Sequence, residues 1–316
     1  MDPLDLGILR ELSRDQIVWF GRLDPRFSAA GIARRLHVDR ATIAARLHSW
    51  ERQGFLRGHE VVPSPLAFGA SIAGGNLRVE AVHRKPRVLE DIGLVPGVIS
   101  AVDHVGPWVA LLYAFETRDG LERSRRLLVK LTGVEEATPC VPFLAPEPTV
   151  TPTPLDWRIL QGFREDPRRP LRMVAQSVSV STKTLVRRME RLVRGRAVWY
   201  LPLLDFSRYG KATMTRFIVT LRPGKDPKAA ADAAARIVPG LSLLVDTASL
   251  IGANPLVPPM LDIGAHLESV GHAEDVQREL AAVDSVADVE VLFPRRFYLY
   301  RGWFDEHIEL AIARTE

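Results

Sequence analysis

The chain has 316 residues, long enough for two or more domains, and its 47% hydrophobic and 25% charged content is that of a folded soluble protein. The net charge of +4 is only mildly basic, so a nucleic-acid function must be argued from local clusters. The single cysteine, Cys140, excludes an intrachain disulfide and a multi-cysteine zinc site, and it fits a reducing cytosol. No apolar run approaches the about 18 residues of a membrane span, and the acidic N-terminus lacks a signal peptide's basic region, so a cytoplasmic protein is expected.

The N-terminal segment predicts a helix followed by an insertion. The helix opens at Asp2–Pro3, a pair suited to the N-cap and the first helical position. Its apolar residues recur at a spacing of four: Leu4, Ile8 and Leu12. Apolar residues continue through Ser13–Pro25, which favours a longer helix or an extra packing turn.

Residues Ser28–Leu56 predict a helix-turn-helix, whose second helix enters the major groove of DNA. A polar turn at Asp39–Arg40 precedes that helix. Its apolar stripe consists of Ile43, Leu47 and Trp50. Gly54 suits a left-handed helix cap, and a strand begins at Phe55.

The following residues predict the wing of a winged helix and then a ferredoxin-like domain. The residues up to Pro63 are expected to form a strand, a turn and a second strand. From Ile72 to Phe143 the strand and helix patterns follow one another as β-α-β-β-α-β. The two helices of such a domain cover one face of its sheet, so the other face should pack on a second sheet. A homodimer or larger homo-oligomer held by these faces is expected; the alternative is that two sheets of one chain pack on each other.

A proline-rich stretch, Pro139–Pro154, separates the two halves of the chain. It holds six prolines in sixteen residues, which predicts an extended and fairly stiff spacer.

A second helix-turn-helix is predicted in Leu171–Val198. Ser181 and Thr182 are good N-cap residues, so its second helix should run from there to about Arg194. The apolar stripe of that helix is Leu185, Met189 and Leu192. Between Arg168 and Arg196, nine lysines or arginines stand against one acid, which indicates a surface that binds phosphate.

The two halves of the chain repeat one another. With Ala33 placed on Ala175, the two helix-turn-helix stretches align without a gap. The residues Val38, Thr42, Ile43, Arg46, Leu47 and Trp50 then fall on Val180, Thr184, Leu185, Arg188, Met189 and Leu192. The repeat continues through a second β-α-β-β-α-β pattern, and the acidic and apolar tail after Gly302 predicts a short docked helix. The predicted fold is therefore α+β. Winged helix-turn-helix domains at 1–62 and 146–205 alternate with ferredoxin-like domains at 63–145 and 206–316.

This combination resembles the leucine-responsive/asparagine-responsive (Lrp/AsnC) family of transcriptional regulators, in a tandem duplicated form. The resemblance lies in the aligned helix-turn-helix residues of both copies and in the Val-Pro-Gly before the second ferredoxin-like strand. It implies DNA binding by the helix-turn-helix domains. It also implies oligomerisation and the sensing of a small molecule, an amino acid or a related metabolite, by the ferredoxin-like domains. The implied ligand-binding residues are Asp103, Gly106, Asp246 and Gly252.

Candidate DNA-binding residues lie on the second helix of each copy, at positions outside its apolar stripe where the side chains are polar or basic. They are Arg40, Thr42, Arg46, His48, Thr182, Lys183, Thr184, Arg187, Arg188 and Arg191. Arg46 and Arg188 border the core stripe, so each could bind either a phosphate or a carboxylate. The second copy is the more basic of the two. It has nine lysines or arginines against one acid, whereas Ser28–Glu60 of the first copy has six arginines against three acids.

Two other functions compete with sequence-specific regulation. Sirohaem decarboxylases resemble this family and bind a tetrapyrrole, but the comparable strands here read SIAGGNLRV and TMTRFIVTL and lack their histidine-rich pattern. A chromatin-like protein that binds DNA without sequence preference is the other alternative. The eight histidines are scattered singly and no nucleotide-binding or hydrolase fingerprint is present. We therefore expect no enzyme, no catalytic residue, no metal and no cofactor, with double-stranded DNA and a small-molecule effector as partners.

Overall fold

A computed structural model describes residues 2–12, 29–137, 141–143, 147–164, 169–208, 213–238, 241–246 and 259–314. Three features named from the sequence lie outside these ranges: the insertion at Ser13–Pro25, Cys140 and the loop that contains Gly252.

The first helical unit consists of α1 (Pro3–Leu12), α2 (Ala29–Leu36) and α3 (Arg40–Arg52). Asp39 caps α3 by accepting a hydrogen bond of 2.7 Å from the backbone N–H of Ala41. The predicted apolar stripes meet in one core, in which Ile8, Ile43 and Trp50 are buried and Leu47 is partly buried. The predicted cap is confirmed, because Gly54 has a φ of 72°.

The second helical unit repeats the first with α6 (Pro154–Gly162), α7 (Leu171–Ser177) and α8 (Thr182–Arg194). The predicted start of α8 is confirmed: Ser181 Oγ accepts a hydrogen bond of 3.1 Å from the N–H of Thr184. The backbone repeats as well. His37 and Ser179, at equivalent positions in the turns, have φ of 54° and 57°. Arg196, the counterpart of Gly54, has a φ of 60°.

The predicted wings are wrong. Each helical unit is followed by one strand, β1 (Leu56–Pro63) or β7 (Val198–Leu204), and then by a 3-10 turn. The two strands pair antiparallel with each other, with Leu56 opposite Leu204 and Pro63 opposite Val198. A single strand leaves its backbone donors and acceptors unpaired along both edges, and the equivalent strand of the other half satisfies one edge of each.

Each half contains the predicted β-α-β-β-α-β order. In the first half the elements are β2 (Ser71–Val79), α4 (Lys85–Ile92), β3 (Val98–His104), β4 (Trp108–Phe115), α5 (Arg118–Val129) and β5 (Val134–Ala137). In the second half they are β8 (Thr213–Leu221), α9 (Pro227–Ile237), β9 (Leu241–Asp246), β10 (Met260–Leu267), α10 (Val270–Ala281) and β11 (Val286–Leu292). Strand order is β3-β4-β2-β5 in the first sheet and β11-β8-β10-β9 in the second. In both halves apolar residues from alternate strand positions pack with the two helices into a core.

The first sheet gains further strands from outside its own domain pattern. The C-terminal strand β12 (Pro294–Leu299) crosses from the second half and pairs with β3. The short β6 (Val141–Phe143), in the proline-rich stretch, pairs with one end of β2. The sequence predicted neither addition.

The uncovered faces of the two sheets meet within the chain. Arg216 on β8 donates a hydrogen bond of 3.1 Å to Asn76 on β2, across the interface. The strand β12, which pairs with β3 of the first sheet, also contacts β8. The alternative of intrachain packing is therefore the arrangement in this structure, while the expected homodimer or larger assembly stays a prediction.

The tail forms the predicted docked helix, α11 (Gly302–Ala313), which packs on α6. Its own residues Phe304 and Ile308 are buried in this contact. Arg164, just beyond α6, forms ion pairs of 2.8 Å with both Asp305 and Glu309.

Candidate nucleic-acid interface

The helix α8 presents a basic face beside a cleft. The cleft has a volume of about 1000 Å³ and lies between α8 and the extended segment 149–153. Lys183, Arg187 and Arg194 line it and are exposed to solvent, as are Thr182 and Thr184 at the start of the helix. This face bears the cations that the charge pattern predicted, in positions open to a large anion.

The segment 149–153 is fastened to the end of α8. The backbone N–H of Thr149 donates a hydrogen bond of 2.8 Å to the carbonyl of Gly195. Val150 lies so close that a Cβ atom at residue 195 would stand 2.1 Å from its Cγ2. Glycine is therefore required at position 195 for this contact.

Two of the predicted DNA-binding arginines on α8 bind a buried carboxylate. Arg188 Nη1 lies 3.0 Å from Asp156 Oδ1, and Arg191 Nη2 lies 2.6 Å from Asp156 Oδ2. Asp156 is fully buried and also forms a reciprocal capping box with Thr153 at the start of α6. Burial by itself would raise the pKa of Asp156, but the hydrogen bonds from Thr153 and Arg188 and the charge of Arg191 outweigh it and lower the pKa.

The same contact recurs in the first helical unit. Arg46, the counterpart of Arg188, lies 3.2 Å from Asp5 Oδ1 and 2.6 Å from Asp2 Oδ2. The backbone N–H of Asp5 and the side chain of Arg46 hydrogen-bond to Asp2 and lower its pKa, against the opposing effect of burial. The alternatives that the sequence left open for Arg46 and Arg188 are thus resolved in this structure as carboxylate contacts.

The exposed face of α3 is much less basic. Arg40, Thr42 and His48 are exposed, and the side chain of His48 lies 3.6 Å from Glu51. At the positions that correspond to Lys183, Arg187 and Arg191, this helix has Ala41, Ala45 and Ser49.

The predicted ligand-binding residues of the first half lie in a buried ion-pair network. Asp103 is buried between Lys85, at 2.7 Å, and Arg295 of β12, at 2.6 Å. Lys85 also donates hydrogen bonds to the carbonyls of His104 and Gly106, of 2.6 and 2.7 Å. Burial lowers the pKa of Lys85, while Asp103 opposes that shift. In the second half, Asp246 ends β9 and Gly252 lies outside the described residues.

Sequence reasoning missed a polar cluster between the sheets. Arg216 forms a two-pronged ion pair with Asp262, with hydrogen bonds of 2.8 and 2.6 Å, and both residues are buried. His104 is fully buried nearby. Its pKa is held well below the usual range, mainly by burial and to a smaller extent by the positive charges of Arg216 and Lys85. The arginine within the strand TMTRFIVTL was the available signal, but its partner is 46 residues away in the sequence.

Within the described ranges, no group of histidine, cysteine and acidic side chains could hold a metal ion. None of the helices described has the length and apolar character needed to span a bilayer.

The chain is similar to known structures along its whole length. No protein-family model matches its sequence, and no curated protein matches it significantly. The siroheme decarboxylase NirDL, in complex with an iron-uroporphyrin III analogue, has 14% identity and a TM-score of 0.52, with all of both chains covered. A second NirDL structure has 13% identity and a TM-score of 0.54, with 98% of this chain and 99% of that chain covered. The likeness to Escherichia coli AsnC spans 48% of this chain and 97% of that one, with 18% identity and a TM-score of 0.31.

These comparisons correct one expectation. The chain shares its full-length fold with NirDL, and NirDL is an enzyme, which contradicts the prediction that the chain is not one. The structural likeness shows a common fold, and at 13 to 14% identity it does not extend to the reaction.

Proposed function

We propose that the chain is a sequence-specific DNA-binding transcriptional regulator whose two helical units contact one duplex as unlike readers. The observation that carries this proposal is the antiparallel pairing of β1 with β7. It relates the two units by an approximate two-fold axis, the symmetry with which paired helix-turn-helix units contact DNA.

The dimensions of the pair support this assignment. The helix α3 ends four residues before β1, and α8 ends four residues before β7. Leu56 and Val198 begin opposite ends of the ribbon, which are about 23 Å apart for seven residue steps of about 3.3 Å. A helix at each end of the ribbon would place the two exposed faces at a separation of the order of one helical turn of DNA, about 34 Å.

The two readers cannot prefer the same bases. Arginine and lysine bind guanine through its major-groove acceptors, whereas alanine can contact only a thymine methyl group. The second reader offers Lys183 and Arg187 where the first offers Ala41 and Ala45. We therefore expect the second reader to supply most of the affinity and the first, through Arg40, Thr42 and His48, to refine the choice of site.

Arg46, Arg188 and Arg191 remain proposed DNA contacts in a more limited sense. Each binds a carboxylate, but a guanidinium has five N–H donors and these side chains are 31 to 39% exposed. They can donate to a phosphate while keeping their carboxylate partner. Thr182 and Thr184, at the start of α8, are proposed to donate hydrogen bonds to DNA as uncharged groups.

Selection of bound sequences from random DNA tests the proposal. The expected product contains two unlike half-sites about one turn apart. Binding without any enriched motif, together with a steep salt dependence, would instead identify the chromatin-like alternative.

A second candidate function is the binding and decarboxylation of a carboxylated tetrapyrrole. The full-length likeness to NirDL favours it, and so do three cations, each paired with a carboxylate, near the interface of the sheets: Arg216 on β8, Lys85 on α4 and Arg295 on β12. Titration of the full chain with iron-uroporphyrin III, followed by visible absorption, tests binding. Mass spectrometry of the tetrapyrrole after incubation with siroheme tests decarboxylation. A perturbed spectrum and the loss of carboxyl groups would favour the enzyme.

A further inference from the structure

A cavity distant from the basic face of α8 lies where the first ferredoxin-like domain meets the C-terminal helix. Its volume is about 520 Å³, within the range of small-molecule sites. One side is formed by the end of β4 and the first turns of α5, and the other by α11. The predicted functions use none of these residues.

The α11 side of the cavity is an ordered aromatic wall. The rings of Trp303 and His307 stack with centroids 3.8 Å apart and planes inclined by 23°. His307 Nδ1 lies 2.8 Å from the carbonyl oxygen of Trp303 and Nε2 lies 3.3 Å from Glu116 Oε1, and a neutral ring donates to one of these two oxygens only. Phe68 meets Trp303 edge-on at 5.5 Å, which supports the wall from behind.

Part of the cavity lining is the backbone of Gly97. This residue has a φ of 80°, and a Cβ there would lie 2.7 Å from the carbonyl oxygen of Ala114. Ser124 satisfies the neighbouring carbonyl of Pro96 through a hydrogen bond of 2.7 Å. The backbone at residues 96 and 97 is therefore held in place where it lines the cavity.

The charged groups around the opening are mainly acidic. Glu116 and Glu306 stand on opposite sides, both exposed, and Arg123 is the one lysine or arginine among the lining residues described. Leu127, 44% exposed, adds an apolar surface. An indole ring and two carboxylates that line one cavity attract a cation, and the apolar surface suits a hydrocarbon group attached to it.

We infer that this cavity is a binding site for a small organic cation, an amine that carries an aromatic or apolar group. The ammonium lies between Glu116 and Glu306 over the face of Trp303, and the apolar group lies against Leu127. This inference is independent of DNA binding and of tetrapyrrole binding.

Calorimetric titration of the full-length chain with phenethylamine tests the inference. We expect saturable binding, with affinity falling in the order phenethylamine, phenylalanine, 3-phenylpropionate as positive charge is replaced by negative charge. Glu306→Gln should weaken phenethylamine binding about ten-fold, the effect of losing one charge-assisted hydrogen bond, and Glu116→Gln should do likewise. Glu279→Gln, on an exposed position of α10 in the other half, is the matched control and should leave the affinity unchanged.

Hydrogen exchange supplies a second readout. Bound phenethylamine should slow exchange in 302–313, because it bridges α11 to α5, and should leave α10 unaffected. The absence of saturable binding at millimolar phenethylamine would overturn the inference. So would a reversed ligand order, or an equal loss of affinity in Glu279→Gln.

Discussion

Arg188 Nη1 lies 3.0 Å from Oδ1 of the buried Asp156, and the contact of Arg46 with Asp5 repeats this relationship in the other half of the chain. Each pair joins the first helix of a unit to its third. Each carboxylate also takes part in a reciprocal capping arrangement with the residue three positions before it, Thr153 or Asp2. Both halves thus keep the same polar contact as well as the same apolar core, and the contact helps to set the orientation of the third helix.

Asp156→Asn should lower the free energy of unfolding of the chain by about 2 kcal/mol. The substitution removes the one carboxylate that two half-exposed guanidinium groups share, while those groups regain part of their hydration. Chemical denaturation checks this. Asp275→Asn, which breaks a solvent-exposed pair with Arg278, is the control and should cost less than about 0.5 kcal/mol.

The carboxylate of Asp156 should make the stability of the folded chain depend on pH. The pKa of Asp156 is lower in the folded chain than the usual 3.8, so its contribution to stability is complete above that value and is lost as the pH falls through the folded pKa. Below about pH 4 the wild type should therefore lose stability more steeply than Asp156→Asn. Denaturation midpoints measured at several pH values check this; parallel curves for the two proteins would contradict it.

His266 should stay neutral in the folded chain under mildly acidic conditions. Burial, reinforced by the charge of Arg10, lowers its pKa from 6.5 to about 3. The unfolded chain binds a proton between these values and the folded chain does not, so this residue reduces stability as the pH falls below about 6.5. Histidine NMR at pH 5 should show a neutral ring, and a protonated ring would contradict the packing around it.

Gly195→Ala should detach the segment 149–153 from α8. The added methyl group would stand 2.1 Å from Val150 Cγ2, and overpacking of this kind typically costs about 1–3 kcal/mol. Val150→Ala in the same chain should recover most of that loss, because it removes the clashing atoms. Thermal unfolding of the single and double variants checks the coupling, and additive losses would disprove it.

The sequence predicted the helices well because their signals are local. The stripe Leu185, Met189 and Leu192 and the cap at Ser181 lie within one helix and define it without any distant partner. The strands β1 and β7 were misassigned as hairpin wings, since a strand pattern does not say which other strand will satisfy its backbone.

The parts of the candidate sites that depend on long-range contacts were the hardest to predict. Asp156 and Arg188 are 32 residues apart, and Arg295 reaches Asp103 across 192 residues. Nothing in the sequence near Lys85 indicates that it would be buried against Asp103. The strand β12 was overlooked for a similar reason, because its partner β3 belongs to the other half.

In our proposal the two helical units contact one DNA duplex as unlike readers. The most direct test measures the affinity of Arg40→Ala, Arg187→Ala and Lys183→Ala for the DNA site selected by the wild type, as a function of salt. We expect Arg187→Ala and Lys183→Ala to cause the larger losses, with a slope of log affinity against log salt lower by about one for each phosphate contact removed. Arg40→Ala should mainly relax the base preference at one half-site. Equal losses from both helices, or a selected site that is a perfect palindrome for one chain, would contradict the claim.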